Sequence, residues 1–194
     1  WAIIVDSVYD QVAEQVVELA RQITTGATDA GPEVYMGPVV DPDAFNKVMK
    51  YIEIGAKEGK LLLGGKAIET AENGYFIEPT IFGDVPPDAR IAQEEIFGPV
   101  LALIRARDYD HALEIANGTE YGLTGAVYSK DRARLEQARR EYHVGNLYFN
   151  RKCTGALVGA HPFGGFNMSG TDSKAGGPDY LLNFTQAKSV AEKL

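Results

Sequence analysis

Ala2 to Val5 is a short unbroken apolar run of the kind that forms a buried strand, and behind it Val8, Val12, Val16, Ala20 and Ile23 recur at helical spacing. Strand then helix is predicted, with Asp6 or Ser7 as the cap. After a loop from Thr24 to Glu33, Asp41 and Pro42 supply an N-cap and a first helical position. Phe45, Val48, Met49, Ile52 and Ala56 then make one apolar stripe that ends near Gly59. Lys60 to Leu63 returns as a strand closed by Gly64 and Gly65. Tyr75 to Phe82 reads as extended chain, and Pro79 within it predicts an edge position, because proline cannot donate to a ladder. Pro86 and Pro87 break the chain.

From Val100 onward the pattern alternates regularly: strand Val100 to Ile104, helix Asp108 to Ala116, strand Thr124 to Tyr128, helix Asp131 to Tyr142, strand Val144 to Phe149. Asp108 and Asp131 suit helix starts, and Asn117 with Gly118 suits a helix end. Such alternation implies parallel strands joined by right-handed crossovers, so the fold class expected is α/β, an open, mostly parallel sheet with helices on both faces. Beyond Asn150 comes a glycine-rich run, then Tyr180 to Val190, an extended tail whose apolar residues look exposed, as in an edge strand that pairs with something. No internal repeat or low-complexity tract interrupts the chain.

Composition narrows the function classes. With 45% hydrophobic and 24% charged residues, 194 residues suffice for one globular domain that buries roughly 70% of its unfolded surface. The net charge of −8 and the lack of a Lys/Arg cluster argue against nucleic acid as a partner. No apolar stretch approaches the ~18 residues of a membrane span. The single cysteine, Cys153, allows neither an internal disulfide nor a multi-thiolate metal site, and a reducing, cytoplasmic setting is expected. The chain opens on Trp1 and runs straight into AIIV, which reads as a beginning in mid-protein.

Two segments carry candidate chemistry. The first is EEIFGPV, Glu94 to Val100, where acidic residues precede a turn and a strand; its plain alternative is a capped turn with Phe97 in the core. The second is TGALVGAHPFGGFNMSG, Thr154 to Gly170, delivered beyond the carboxyl end of a strand, where open sheets bind ligands. Its glycines permit positive φ and close backbone approach, so that successive N–H groups can converge on an anion. The plain alternative is a tight surface turn. Neither GxxxxGKS/T nor a GxGxxG joining strand to helix is present. Arg151 and Lys152 could activate Cys153, yet no histidine adjoins it; His111, His143 and His161 are scattered and suggest no metal site.

Pro162, Phe163, Gly164, Gly165, Ser169 and Gly170 after Asn150, together with Glu94 to Pro99, make the chain resemble the C-terminal, catalytic-domain part of the aldehyde dehydrogenase superfamily from about Ala2 to Val190. TGALVG and TDSKAGGPDYLLNF, Thr171 to Phe184, are similar to the 1-pyrroline-5-carboxylate dehydrogenase branch. That resemblance implies NAD as cofactor, with Glu95 accepting from the nicotinamide ribose hydroxyls and Phe97 packing on the ribose and nicotinamide. It implies L-glutamate 5-semialdehyde as substrate, its α-carboxylate held by backbone N–H groups of Gly155 and Ala156 and its aliphatic part lined by Phe163. Family chemistry runs through attack by a thiolate, hydride transfer to NAD and hydrolysis of a thioester. The nucleophilic cysteine and general-base glutamate would lie upstream of Ala2, so no catalytic residue is expected here and Cys153 is not the nucleophile. The resemblance further implies a partial catalytic domain over 1–178, a tail over 179–194 whose Leu181 to Ala191 joins a partner subunit's sheet in a homo-oligomer, and a place in proline breakdown. Two alternatives stand beside it: a non-catalytic binding or assembly module, and a dehydrogenase for another semialdehyde, of succinate or glutamate phosphate.

Overall fold

The computed structural model describes residues 1–69, 74–154, 157, 159–161, 164–170 and 180–193. The chain divides into two compact units, Trp1–Ile115 and Ala116–Leu194. The boundary expected between 178 and 179 falls outside the described residues.

The first unit runs β1 (Ala2–Val5), α1 (Asp6–Arg21), α2 (Pro42–Glu58), β2 (Lys60–Leu63), β3 (Thr80–Gly83), α3 (Arg90–Gln93), β4 (Val100–Ala106) and most of α4 (Tyr109–Asn117). Its four-stranded sheet has the order β1-β4-β3-β2; β4 is parallel to β1 and β3, and β2 is antiparallel. Because side chains alternate across a strand, consecutive residues feed opposite cores. Ile4, Ile81 and Leu103 meet Tyr9 and Ala13 of α1, while Phe82, Ala102 and Ile104 meet Val48 and Ile52 of α2. Helices therefore cover both faces, as the α/β expectation required. Val48, Phe82 and Leu103 are wholly buried, each contributing about 1.5–3 kcal/mol from burial.

Local chemistry explains most boundaries. Asp41 Oδ1 accepts from Ala44 N at 2.7 Å and Pro42 opens α2, as predicted. The α1 expectation needs correcting: Val5 is the N-cap and no side chain caps the helix, because Asp6 lies inside the first turn and pairs with Arg105 at 2.8 Å. The buried stripe begins at Tyr9, not at Val8, which is exposed. Tyr9 donates its hydroxyl to Leu103 O and accepts from Asp84 N, so an aromatic with a polar tip fits the core there. Pro79 is a second correction. The strand it precedes lies inside the sheet, flanked by β2 and β4; the ladder begins one residue later, where Thr80 N donates to Pro99 O at 2.8 Å.

The second unit contains β5 (Tyr121–Gly122), β6 (Thr124–Val127), α5 (Arg132–Glu141), β7 (Asn146–Phe149) and β8 (Phe166–Asn167). β6 and β7 pair in parallel on either side of α5, which starts where Asp131 Oδ1 accepts from Ala133 N. β5 and β8 form a short antiparallel pair that the pattern did not predict, since it depends on the glycine-rich run folding back. Tyr180–Phe184 is a 3₁₀ turn, with the Tyr180 and Phe184 rings edge-on at 5.2 Å, where extended chain was expected. Leu181, Leu182, Phe184 and Val190 are exposed. No helix among the described residues is long and apolar enough to cross a membrane.

Candidate functional site

EEIFGPV occupies the turn between α3 and β4, and its residues divide cleanly between anchoring and display. Ile96 is buried in the α2-side core. Gly98 lies so close to α2 that a Cβ there would sit 2.4 Å from Val48 Cγ2, so only glycine fits. Phe97 between them takes φ 57° and is 84% exposed. A bulky residue in the left-handed region costs on the order of 1–3 kcal/mol and persists only where its neighbours enforce it. The capped-turn alternative, with Phe97 in the core, is thereby excluded: the aromatic is held outward. Glu95 is also exposed, and its carboxylate has no hydrogen-bond or ion-pair partner among the described residues.

Glu94 does the opposite. One carboxylate takes Arg90 Nη2 at 2.8 Å, Arg90 Nε at 3.0 Å and Tyr51 Oη at 2.5 Å. The bonds from Arg90 and Tyr51 hold the Glu94 carboxyl at about 2, well below the usual carboxylate range. The clamp's contribution is therefore complete above pH 4.5 and is lost as pH falls through about 2. A ¹³C NMR titration is expected to place the Glu94 midpoint at about 2 and to move it upward in Tyr51→Phe. An ordinary midpoint in the parent chain would mean that the clamp does not form in solution.

In the second unit, the chain after β7 is tied down by Asn150, at φ 53°, whose side chain accepts from Ser129 N and donates to Ser129 O. Gly155, Ala156 and Phe163, the expected substrate-binding residues, lie outside the described residues. What is described of the run shows a use of glycine other than anion binding. A Cβ on Gly145 would lie 1.8 Å from Gly164 O, and Ser169 Oγ accepts from Gly122 N at 2.9 Å. A Cβ on Gly165 would meet Gly122 O at 3.0 Å and one on Gly170 would meet Gly165 N at 2.7 Å, so Gly145, Gly165 and Gly170 let backbones pack closely, while Gly159 alone among the described glycines of the run has positive φ. Cys153 is exposed. His143 stacks on Phe166, and His161 Nδ1 accepts from Leu157 N. No metal-binding cluster occurs among the described residues.

The model of the aldehyde dehydrogenase family matches residues 2–190. The chain belongs to that family. It is 65% identical to 1-pyrroline-5-carboxylate dehydrogenase of Geobacillus sp. (strain WCH70) over 98% of its length, and 62% identical to that of Bacillus subtilis (strain 168). It superposes with a TM-score of 0.92, at 56% identity and over 99% of its length, on a crystal structure of 1-pyrroline-5-carboxylate dehydrogenase from Thermus with bound NAD. In each case it spans 36% of the relative's own length.

Within this aldehyde dehydrogenase chain, sequence reading reached Glu95 and Phe97 and missed their supports. Arg90 and Glu94 stand at i, i+4, a spacing that places them on one helix face. Tyr51 is 43 residues from Glu94, and no local signal links them. A groove of about 750 Å³ between α1 and the sheet takes Gly98 and Pro99 into its wall, beside Val16, Leu19 and Tyr35. Neither Glu95 nor Phe97 lines it.

Proposed function

We propose that the chain is the C-terminal part of an NAD-dependent 1-pyrroline-5-carboxylate dehydrogenase, a cytoplasmic enzyme of proline breakdown that oxidises L-glutamate 5-semialdehyde to L-glutamate. The carrying observation is the outward-held Phe97 beside Glu95, which has no partner among the described residues, on a turn anchored from both sides. A free carboxylate accepts readily from two vicinal hydroxyls, and an exposed ring on rigid backbone offers an apolar face without an ordering cost, so the residues fit the ribose and nicotinamide of NAD. NAD, when bound, supplies the acceptor for the substrate's hydride.

The other roles belong to the same reading. Gly155 and Ala156 hold the α-carboxylate through their amides and Phe163 lines the aliphatic part, while the nucleophile and general base of the complete enzyme lie upstream of Ala2; that the chain spans 36% of its relatives' length leaves room for them. Residues 1–178 are a partial catalytic domain, and 179–194 a tail whose Leu181 to Ala191 pairs with a second copy in a homo-oligomer. The names and the 65% identity of the relatives support the substrate assignment. Hydrogen bonds to a charged acceptor contribute about 1.5–3 kcal/mol each, so losing one of two amides is a measurable defect. In the full-length polypeptide, Gly155→Pro is expected to raise the inhibition constant of glutamate by about tenfold or more. A parental constant would reject the α-carboxylate site, and equal turnover of succinate semialdehyde would reject the substrate.

A further inference from the structure

We propose that Tyr51 and Arg90 are positioning residues: by gripping Glu94 together, they hold the adjoining Glu95–Phe97 turn in the shape that receives the nicotinamide end of the dinucleotide. The inference rests on the cofactor reading of Glu95 and Phe97 given above and extends it to side chains whose contacts are with Glu94.

The geometry begins with α3, a single turn of four residues. So short a helix has no stability of its own and keeps its place only through what grips it. Both ends are gripped from α2. At its start, Arg90 N and Ile91 N donate to the carboxylate of Glu58, the last residue of α2, at 3.2 and 3.1 Å. At its end, Glu94 receives the Arg90 fork and the Tyr51 hydroxyl, and Tyr51 also belongs to α2. The Arg90 guanidinium lies 5.8 Å from the Tyr51 ring centre, which closes the three side chains into one group. α2 is a firm base, since Val48 and Ile52 are buried against the sheet. Glu94 is followed directly by Glu95, so any loosening at the clamp passes to the turn without an intervening joint.

An exposed ion pair adds little to global stability, and these side chains are 52% and 41% exposed. The clamp's effect should therefore fall on cofactor affinity rather than on melting, which separates positioning from a merely structural role. Its depressed carboxyl keeps it charged throughout the neutral range.

The test uses the full-length polypeptide with Tyr51→Phe, Arg90→Met, Arg90→Lys and, for reference, Glu95→Gln and Phe97→Ala. NAD affinity is read by calorimetry, and the mobility of residues 94–100 by hydrogen exchange without NAD. Tyr51→Phe and Arg90→Met are expected to weaken NAD by about five- to tenfold and to speed exchange over the turn, with melting close to the parent. Arg90→Lys, which keeps the charge but not the fork, should fall between. The Tyr51→Phe/Glu95→Gln pair should lose less than the product of the single effects, because both act through one contact. If Glu95→Gln or Phe97→Ala weakens NAD while Tyr51→Phe and Arg90→Met bind and exchange as the parent does, the clamp proposal is wrong and the cofactor reading survives. If Glu95→Gln and Phe97→Ala both bind NAD as the parent does, the cofactor reading falls and the clamp's role with it. Should Arg90→Met fail to fold, Tyr51→Phe, which removes one hydroxyl, decides alone.

Discussion

The 194-residue chain alone, given L-glutamate 5-semialdehyde and NAD, is expected to produce no NADH above background, on the order of 10⁶ below the full-length polypeptide. The reason is chemical. Aldehyde oxidation by covalent catalysis needs a thiolate with a base in reach, and among the described residues neither His143 nor His161 is paired with Cys153. The Arg151 guanidinium is directed to Thr154 O and lies over the Tyr148 ring, 4.8 Å from its centre. His161 is engaged by the Leu157 amide, and His143 lies flat against Phe166. Exposure of the thiol supports alkylation by a reagent but not general-base activation. Cys153→Ser should accordingly leave the background rate unchanged. Turnover by the isolated chain that disappears in Cys153→Ser would overturn the placement of the nucleophile upstream.

Legibility in the sequence followed the distance over which each feature is decided. Asp41 and Asp131 were readable as caps because donor and acceptor lie within three residues of one another. The alternation after Val100 was readable because strand and helix periods differ, and β6, α5 and β7 follow it. Pro79 misled because a proline reports its own missing donor but not where the ladder starts; β2 and β4, which enclose that strand, are set by pairing. Val8 misled because the buried face of α1 is chosen by Tyr9, whose hydroxyl meets partners 75 and 94 residues away. At the candidate site, Glu95 and Phe97 were legible through the EEIFGPV motif. That Phe97 faces outward was implied by the family resemblance but not by local composition, since an aromatic between Ile96 and Gly98 reads equally well as core, and it is the left-handed backbone that turns it away. Gly155, Ala156 and Phe163 rest on the family motif and lie outside the described residues.

Gly145→Ala is expected to be the most damaging methyl group that can be added near the glycine-rich run. Its Cβ would stand 1.8 Å from Gly164 O, 2.7 Å from Gly164 C and 2.9 Å from Gly165 Cα, all backbone atoms that no rotamer change can move. Retreat on the other side is blocked, because Gly145 N donates to Gly122 O at 2.9 Å and Asn146 N to Leu123 O at 3.0 Å. The far strand of the run is fixed too, by Met168 N on Glu120 O and by Ser169 Oγ under Gly122 N. Overpacking against side chains typically costs about 1–3 kcal/mol, and a backbone obstacle belongs at or above the upper end. For a unit of this size that corresponds to a fall in melting temperature of about 10–20 °C. Ser169→Ala, which removes one acceptor, should cost only about 1 kcal/mol and serves as the mild control. On the substrate reading proposed above, glutamate inhibition in the full-length polypeptide should weaken in Gly145→Ala more than in Ser169→Ala, because Gly145 abuts the glycine-rich run at Gly164 and Gly165. Parental melting together with parental inhibition in Gly145→Ala would show that the two backbones do not touch in solution, and would remove the packing role assigned to Gly145 and Gly165.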